Sequence, residues 1–282
     1  MLEHAPAKLN LTLDVLGQTE DGYHSLRSVM QTVEFGDDIS LELTADGSFS
    51  LEPGKPYLPA DESNLALRAA MLFLQGSGRG AAIRVTKRIP VGAGMGGGSC
   101  DAAAVLRALQ ALTGGEKSET ELYNLALRLG SDVPFCLKGG TYLAEGRGEI
   151  LTPMEPLPPC SVVICKPVFS VSTAELYTRV DSRRARTHPD TAGLREAVRR
   201  QNLTEAARRC FNVFEDVLPR SHAQTIAEIK SSLLDGGALT AAMTGTGSAV
   251  FGLFSDSAAA EKTHQALRRV YKHCYLTRPY NP

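Results

Sequence analysis

An excess of either charge, closely spaced cysteine pairs and long apolar runs are all missing from this sequence. Its 30 Lys and Arg residues nearly balance 31 Asp and Glu, leaving a formal charge of -1, so no global field favours nucleic acid or an anionic membrane as partner. Any phosphate recognition must be local. The six cysteines form no C-x-x-C pair and are sparse for 282 residues, which reads as reduced thiols and argues against a disulfide framework or a structural zinc site. Nowhere do about 18 apolar residues run together, and "MLEHAPAKLN" lacks a basic stretch followed by an apolar one, so neither a membrane span nor a secretory leader is expected. The expectation is a soluble, cytoplasmic protein. With 43% hydrophobic residues the chain can bury a substantial core, in two domains or one large one.

Periodicity supplies the elements. "AKLNLTLDVLG" alternates, with Leu9, Leu11, Leu13 and Val15 on one face and Lys8, Asn10, Thr12 and Asp14 on the other, which predicts a half-buried strand with Lys8 and Asn10 side by side. Further strands are predicted at "SVMQTVEF", "ISLEL", "AAIRVTKRI" and "SVVICKPVF", and a helix at "NLALRAAMLFLQG". "SETELYNLALRLG" is a bounded helix, with Ser118 and Glu121 as a capping box and Gly130 at its C-terminal end. "LTPMEPLPPC" has four prolines in ten residues, too many for a helix or a central strand, and is read as the linker between domains spanning 1–150 and 151–282. The Arg-rich stretch from Arg179 to Arg209, including "DSRRARTHPD", reads as solvated helix and loop, and "ALTAAMTGTGSAVFGLF" followed by "AAAEKTHQALRRVYK" as strand, turn, strand and helix.

"IPVGAGMGGGSCDAAAVLRALQ" crowds Gly92, Gly94, Gly96, Gly97 and Gly98 into seven positions directly before a helical pattern. A P-loop would need Gly-Lys-Ser/Thr at its end, but Ser99 and Cys100 follow Gly98. The dinucleotide fingerprint is met literally by Gly92, Gly94 and Gly97, yet Pro90 interrupts the strand and no βαβ repeat begins here. A merely flexible connection would not need a strand before it and a clean helix after it. What remains is a phosphate cradle of another kind, in which bare backbone N–H groups converge on an anion and the helix adds its N-terminal partial charge.

These residues carry a resemblance. "IPVGAGMGGGSCDAA" is similar to the second motif of the kinase superfamily named for galactokinase, homoserine kinase, mevalonate kinase and phosphomevalonate kinase. The triple glycine Gly96-Gly97-Gly98, together with "APAKLNLTLDVLG", "DGYHSL", "LGSDVPF", "VFSVSTAELY" and "MTGTGSAVFG", resembles the branch that phosphorylates 4-diphosphocytidyl-2-C-methyl-D-erythritol in the non-mevalonate isoprenoid pathway. The likeness runs from about residue 5 to residue 252. It implies a two-domain α+β fold with the active site between the domains, and transfer of the ATP γ-phosphate to the C2 hydroxyl of that substrate. One departure stands out: Cys100 replaces the second serine of the motif, which puts a hydroxyl contact with phosphate or magnesium in doubt.

The resemblance also implies roles. Asp132 is the expected base; sequence alone leaves open that it caps the element beginning at Val133-Pro134. Lys8 is the matching catalytic cation, and Asn10 is expected to bind substrate. Pro90, Gly92, Gly94, Gly96, Gly97, Gly98 and Ser99 are expected to hold ATP, with Lys87 and Asn64 on its adenine side. Tyr23 and Tyr177 would stack on the two faces of a cytosine, with His24 at its edge, although "DGYH" also reads as a hairpin tip with incidental aromatics. Thr244, Gly245, Gly247 and Ser248 would add donors near the transferred phosphate or the substrate diphosphate, although "TGTGS" is also an ordinary hairpin turn. Magnesium is expected with ATP, without protein ligands that the sequence identifies. A sister kinase of homoserine or mevalonate and a non-catalytic nucleotide sensor are the competing readings.

Overall fold

The computed structural model describes residues 1–20, 22–183 and 187–282; Asp21 of "DGYH" and the middle of "DSRRARTHPD" lie outside them. The elements in chain order are β1 (Leu2–Gln18), β2 (His24–Thr44), β3 (Phe49–Glu52), α1 (Leu65–Leu74), β4 (Gly80–Thr86), α2 (Gly97–Leu112), α3 (Glu119–Leu129), α4 (Val133–Lys138), β5 (Thr141–Gly146), β6 (Ile150–Pro153) and β7 (Ser161–Lys166). They continue with α5 (Thr173–Asp181), α6 (Thr191–Arg199), α7 (Leu203–Ala207), β8 (Phe211–Asn212), a 3-10 turn (Val213–Val217), α8 (Arg220–Asp235), β9 (Thr240–Met243), β10 (Val250–Phe254), α9 (Ser257–Arg268) and β11 (His273–Thr277). This is the α+β content the sequence predicts.

By packing, the chain forms two compact units that interleave in sequence. One comprises Met1–Ala7, Gly36–Ile89 and Gly96–Gly139, the other Lys8–Phe35, Pro90–Met95 and Gly140–Pro282. The long strands β1 and β2 contribute to both, because each is one continuous run: "SVMQTVEF" and "ISLEL" join into a single strand of 21 residues.

In the first unit the end of β2 pairs antiparallel with β4, and β3 pairs parallel with β4. Helices α1 to α4 pack on one another beside this sheet, with α2 at their centre. The sequence predicts one apolar face for α2; the structure buries Cys100 to Leu106 without a break, since neighbours surround the helix. Ala102, Ala103 and Ala104 are what the close approach requires, as larger side chains would separate the helices. Ser118 caps α3 through the expected reciprocal box with Glu121.

In the second unit, β10 pairs antiparallel with β7 and β9, and β11 with β7, giving the order β11-β7-β10-β9. Helices α8 and α9 pack against this sheet, where Val163, Cys165, Ile229, Leu233, Val250 and Phe254 form much of the core. The first part of β2 pairs with β5 and β5 with β6, while β1 pairs with β8. The proline-rich linker thus opens as the outer strand β6, which ends at Pro153, a place where a missing N–H breaks no central ladder. β1 departs from the half-buried expectation: residues 5 to 15 are buried on both faces. Its polar face is covered as well as its apolar one, and that face carries Lys8 and Asn10.

Candidate active site

The alternation of β1 puts Lys8, Asn10, Thr12 and Asp14 on one face, and the second unit closes over them. Lys8 is 5% exposed and its Nζ donates to Asn10 Oδ1 at 2.7 Å. Asn10 Nδ2 donates to Ser28 Oγ at 2.8 Å, and Asn10 N donates to Thr244 Oγ1 at 2.9 Å. A buried lysine carries a desolvation cost that only polar partners offset, so the solvated-lysine alternative does not hold. Sequence pairing predicted the Lys8–Asn10 contact; the tie through Thr244 to the third motif lies 234 residues away and was not legible.

The "TGTGS" segment is the predicted turn between β9 and β10, and it also presses on the glycine loop. Ser248 N donates to Gly92 O and Ala249 N to Ala93 O, each at 3.2 Å. Gly92, Gly94, Gly245 and Gly247 all have positive φ, which an L side chain rarely adopts. A Cβ on Gly94 would overlap Thr244 O, and one on Gly245 would come within 2.9 Å of Gly94 Cα. Gly94 and Gly245 are therefore bare because two loops touch, whereas a Cβ on Gly92 would run into Ser170 and one on Gly247 into Met243 Sδ. Asn212, fully buried and missed by sequence reasoning, fixes the turn by donating to Met243 O and Gly245 O. The hydroxyls of Thr244 and Ser248 are buried and held by Asn10, Gly94 O and Phe169 O.

Gly96 and the residues after it belong to the first unit. Gly96 is the left-handed N-cap of α2, and the N–H groups of Gly97, Gly98 and Ser99 precede the first intrahelical bond, from Cys100 N to Gly96 O at 2.8 Å. Such leading N–H groups have no helical acceptor. Gly98 differs from its neighbours: a Cβ there would meet only Leu65 Cδ1 at 3.7 Å, an ordinary contact. No packing demand inside the first unit explains its bareness.

Cys100 does not face the turn's N–H groups. It is 1% exposed, with Sγ 3.3 Å from Cys136 Sγ on α4. This contact and burial push its thiol well above the ordinary range, so it stays protonated. The exchange of serine for cysteine is thereby accommodated by α2–α4 packing. Asp132 stands at the N-terminus of α4, half-buried, with no side-chain hydrogen bond to the helix.

Lys87 and Asn64, expected on the adenine side, each have internal partners. Lys87 Nζ donates to Asp37 Oδ2 and Asp101 Oδ2, both at 2.6 Å, and is nearly buried. Asn64 is the N-cap of α1: its Oδ1 accepts from Ala66 N at 3.0 Å and its Nδ2 donates to Pro59 O. Both side chains are held by strong internal partners.

The aromatic residues pair with side chains of this chain. His24 stacks on Tyr177, centroids 4.4 Å apart, and its Nε2 sits 2.9 Å from the Asp181 carboxylate. Tyr177 turns its edge to Phe214, which anchors it to the core. Tyr23 is 55% exposed, with the Arg147 guanidinium 3.7 Å from its ring centre. Tyr23 and Tyr177 thus each carry a planar partner. Asp181 and Arg147 were not singled out from sequence, because a surface carboxylate and a surface arginine carry no periodic signal.

Similarity to known proteins gives the class. The family model for the GHMP kinases N terminal domain matches residues 64–140, and that for GHMP kinases C terminal matches residues 194–273. The chain belongs to the GHMP kinases and, within them, to the family of 4-diphosphocytidyl-2-C-methyl-D-erythritol kinases. The enzyme of that name from Clostridium perfringens is 41% identical over 98% of this chain and 97% of its own, and that from Clostridium botulinum 40% identical over 99% of each. A crystal structure of 4-(cytidine 5'-diphospho)-2C-methyl-D-erythritol kinase superposes with a TM-score of 0.85 over 100% of both chains at 34% identity. Homoserine kinase from Cytophaga hutchinsonii, at 20% identity and a TM-score of 0.76 over 99% of this chain and 94% of its own, shares the fold.

Proposed function

We propose that this kinase transfers the γ-phosphate of ATP to the C2 hydroxyl of 4-diphosphocytidyl-2-C-methyl-D-erythritol, as a step of the non-mevalonate route to isoprenoid precursors. The observation that carries the reading is Gly98, bare at the start of α2 with room for a side chain, in a chain 41% identical to such kinases over nearly its whole length. The N–H groups of Gly97, Gly98 and Ser99 receive phosphate oxygens, and the helix dipole favours their charge. Asp132 accepts the C2 hydroxyl proton as that oxygen attacks the γ-phosphorus in line and ADP departs. Lys8 offsets the charge developing on the transferred group, and Asn10 orients the acceptor. The cytidine enters at His24, Tyr177 and Tyr23, where stacking on aromatic rings is worth about 1–3 kcal/mol per base; His24 leaves Tyr177 to do so.

Magnesium would accompany ATP as charge neutraliser. Among the described residues no cluster of three or more His, Cys, Asp or Glu could hold a metal, and the Asp37–Asp101 pair is filled by the Lys87 ammonium. The ion would come with the phosphates. The functional halves are 1–150, with the glycine loop and Asp132, and 151–282, with the third motif. Among the described residues no helix is long and apolar enough to cross a membrane, in keeping with a cytoplasmic enzyme. Asp132→Asn tests the base: kcat should fall by about 100- to 10,000-fold with ATP affinity unchanged, and a near-normal kcat would remove Asp132 from that role.

A further inference from the structure

Directly below the first turn of α2 lies a charge cluster that the proposed chemistry does not use. Lys87 Nζ bridges Asp37 Oδ2 and Asp101 Oδ2, and a Cβ on Gly97 would come within 3.0 Å of that nitrogen. The three groups are almost wholly enclosed, and with both carboxylates ionised they sum to one negative charge. Asp37 is satisfied twice more, its Oδ1 accepting from Arg88 N and Ile89 N. Asp101 is not. It is 5% exposed, and its Oδ1 is buried without a hydrogen-bond partner. An anionic oxygen in that position bears a full desolvation cost, which a proton removes.

The charged groups on the surrounding elements do not supply that partner. On α1 the one charged residue, Arg68, donates to Leu129 O. Lys138 of α4 pairs with Glu119 of α3, Glu121 caps Ser118, and Arg128 is exposed. On α2, Arg107 pairs with Glu3, and beside Asp37 the carboxylate of Asp38 takes Arg88 and His4. Cys100 and Cys136 face each other as thiols.

We infer that Asp101 is a positioning residue whose protonation is coupled to polyphosphate binding: a nucleotide triphosphate seated on the N–H groups of Gly97, Gly98 and Ser99 draws a proton onto Asp101 Oδ1, and the charge beneath the turn goes from negative to neutral. The inference rests on the triphosphate reading of that turn. Burial already pushes the Asp101 carboxyl up to about 7, against the opposing pull of Lys87, so the proton is exchanged in the neutral range. Added phosphate charge raises it further, so nucleotide affinity falls as the pH rises. If binding lifts it by one unit, affinity drops up to about tenfold between pH 6 and pH 9, and about half a proton is taken up at pH 7.5.

The test is titration calorimetry of the full chain with magnesium and the non-hydrolysable analogue AMP-PNP at pH 7.5, in buffers of different ionisation enthalpy. The expected result is a buffer-dependent heat corresponding to uptake of about half a proton, lost in Asp101→Asn, whose affinity becomes nearly independent of pH. Binding with no buffer dependence in the natural chain would overturn the inference and leave the triphosphate reading standing. Uptake that persists in Asp101→Asn would assign the proton elsewhere and overturn it as well. No binding at all would refute the triphosphate reading, and the inference with it.

Discussion

Two glycines of one loop should respond in opposite ways to the same added methyl group. At Gly98 an alanine fits: the backbone is helical, the new Cβ meets Leu65 Cδ1 at 3.7 Å, and α2 exchanges its least favourable residue type for the most favourable. Stability should rise by about 0.5–1 kcal/mol, or roughly 1–4 °C in Tm. If phosphate oxygens approach this position, the methyl holds them off the N–H groups, and loss of one charge-assisted hydrogen bond costs about 1.5–3 kcal/mol, roughly 10- to 100-fold in kcat/KM for ATP. At Gly94 the alanine meets Thr244 O and must hold a φ of +73°, so it should lose about 3 kcal/mol or more of stability. Thermal unfolding and steady-state kinetics of the two variants suffice. A Gly98→Ala protein more stable than the parent, yet with unchanged KM and kcat, would refute the claim that this glycine is kept for a ligand.

Three further outcomes are expected. Cys100→Ser should leave the KM for ATP within about twofold, because the side chain points at Cys136; the check is a parallel ATP titration, and a tenfold change would place this side chain on the nucleotide. Tyr177→Ala should raise the KM for the cytidyl substrate about 10-fold or more with little change for ATP, measured by varying each substrate in turn. The third concerns pH. The Asp101 carboxyl is raised from 3.8 to about 7 by burial, so its favourable contribution is complete below the unfolded value and is lost as the pH climbs through the folded one. Denaturant unfolding should show up to about 2–3 kcal/mol of this loss between pH 5 and pH 8, and Asp101→Asn should flatten the profile.

Much of the frame was legible because it rests on short-range physics. The capping box at Ser118, the alternation of β1 and the strand, turn and strand around "TGTGS" each follow from neighbouring residues. The site was legible only in pieces. Lys8 and Asn10 could be paired by strand period, but their burial depends on Thr244 and Ser28, which no local pattern joins to them. The packing of Gly94 against Thr244 and Gly245 was not legible from the loop's spacing. That Lys87 bridges Asp37 and Asp101 is not conveyed by its place beside the loop. Asp101 itself sits two positions after Ser99 in the motif, and its enclosure follows from the surrounding helices of the first unit, which sequence spacing does not convey.

The central claim is the acceptor and the reaction. Purified protein with ATP and magnesium should release ADP in the presence of 4-diphosphocytidyl-2-C-methyl-D-erythritol, with a new phosphomonoester on its C2 oxygen, and not with homoserine, mevalonate or no acceptor. Turnover with homoserine or mevalonate instead would contradict the assignment of His24, Tyr177 and Tyr23 to a cytidine, and absence of turnover with every acceptor would contradict the kinase account itself.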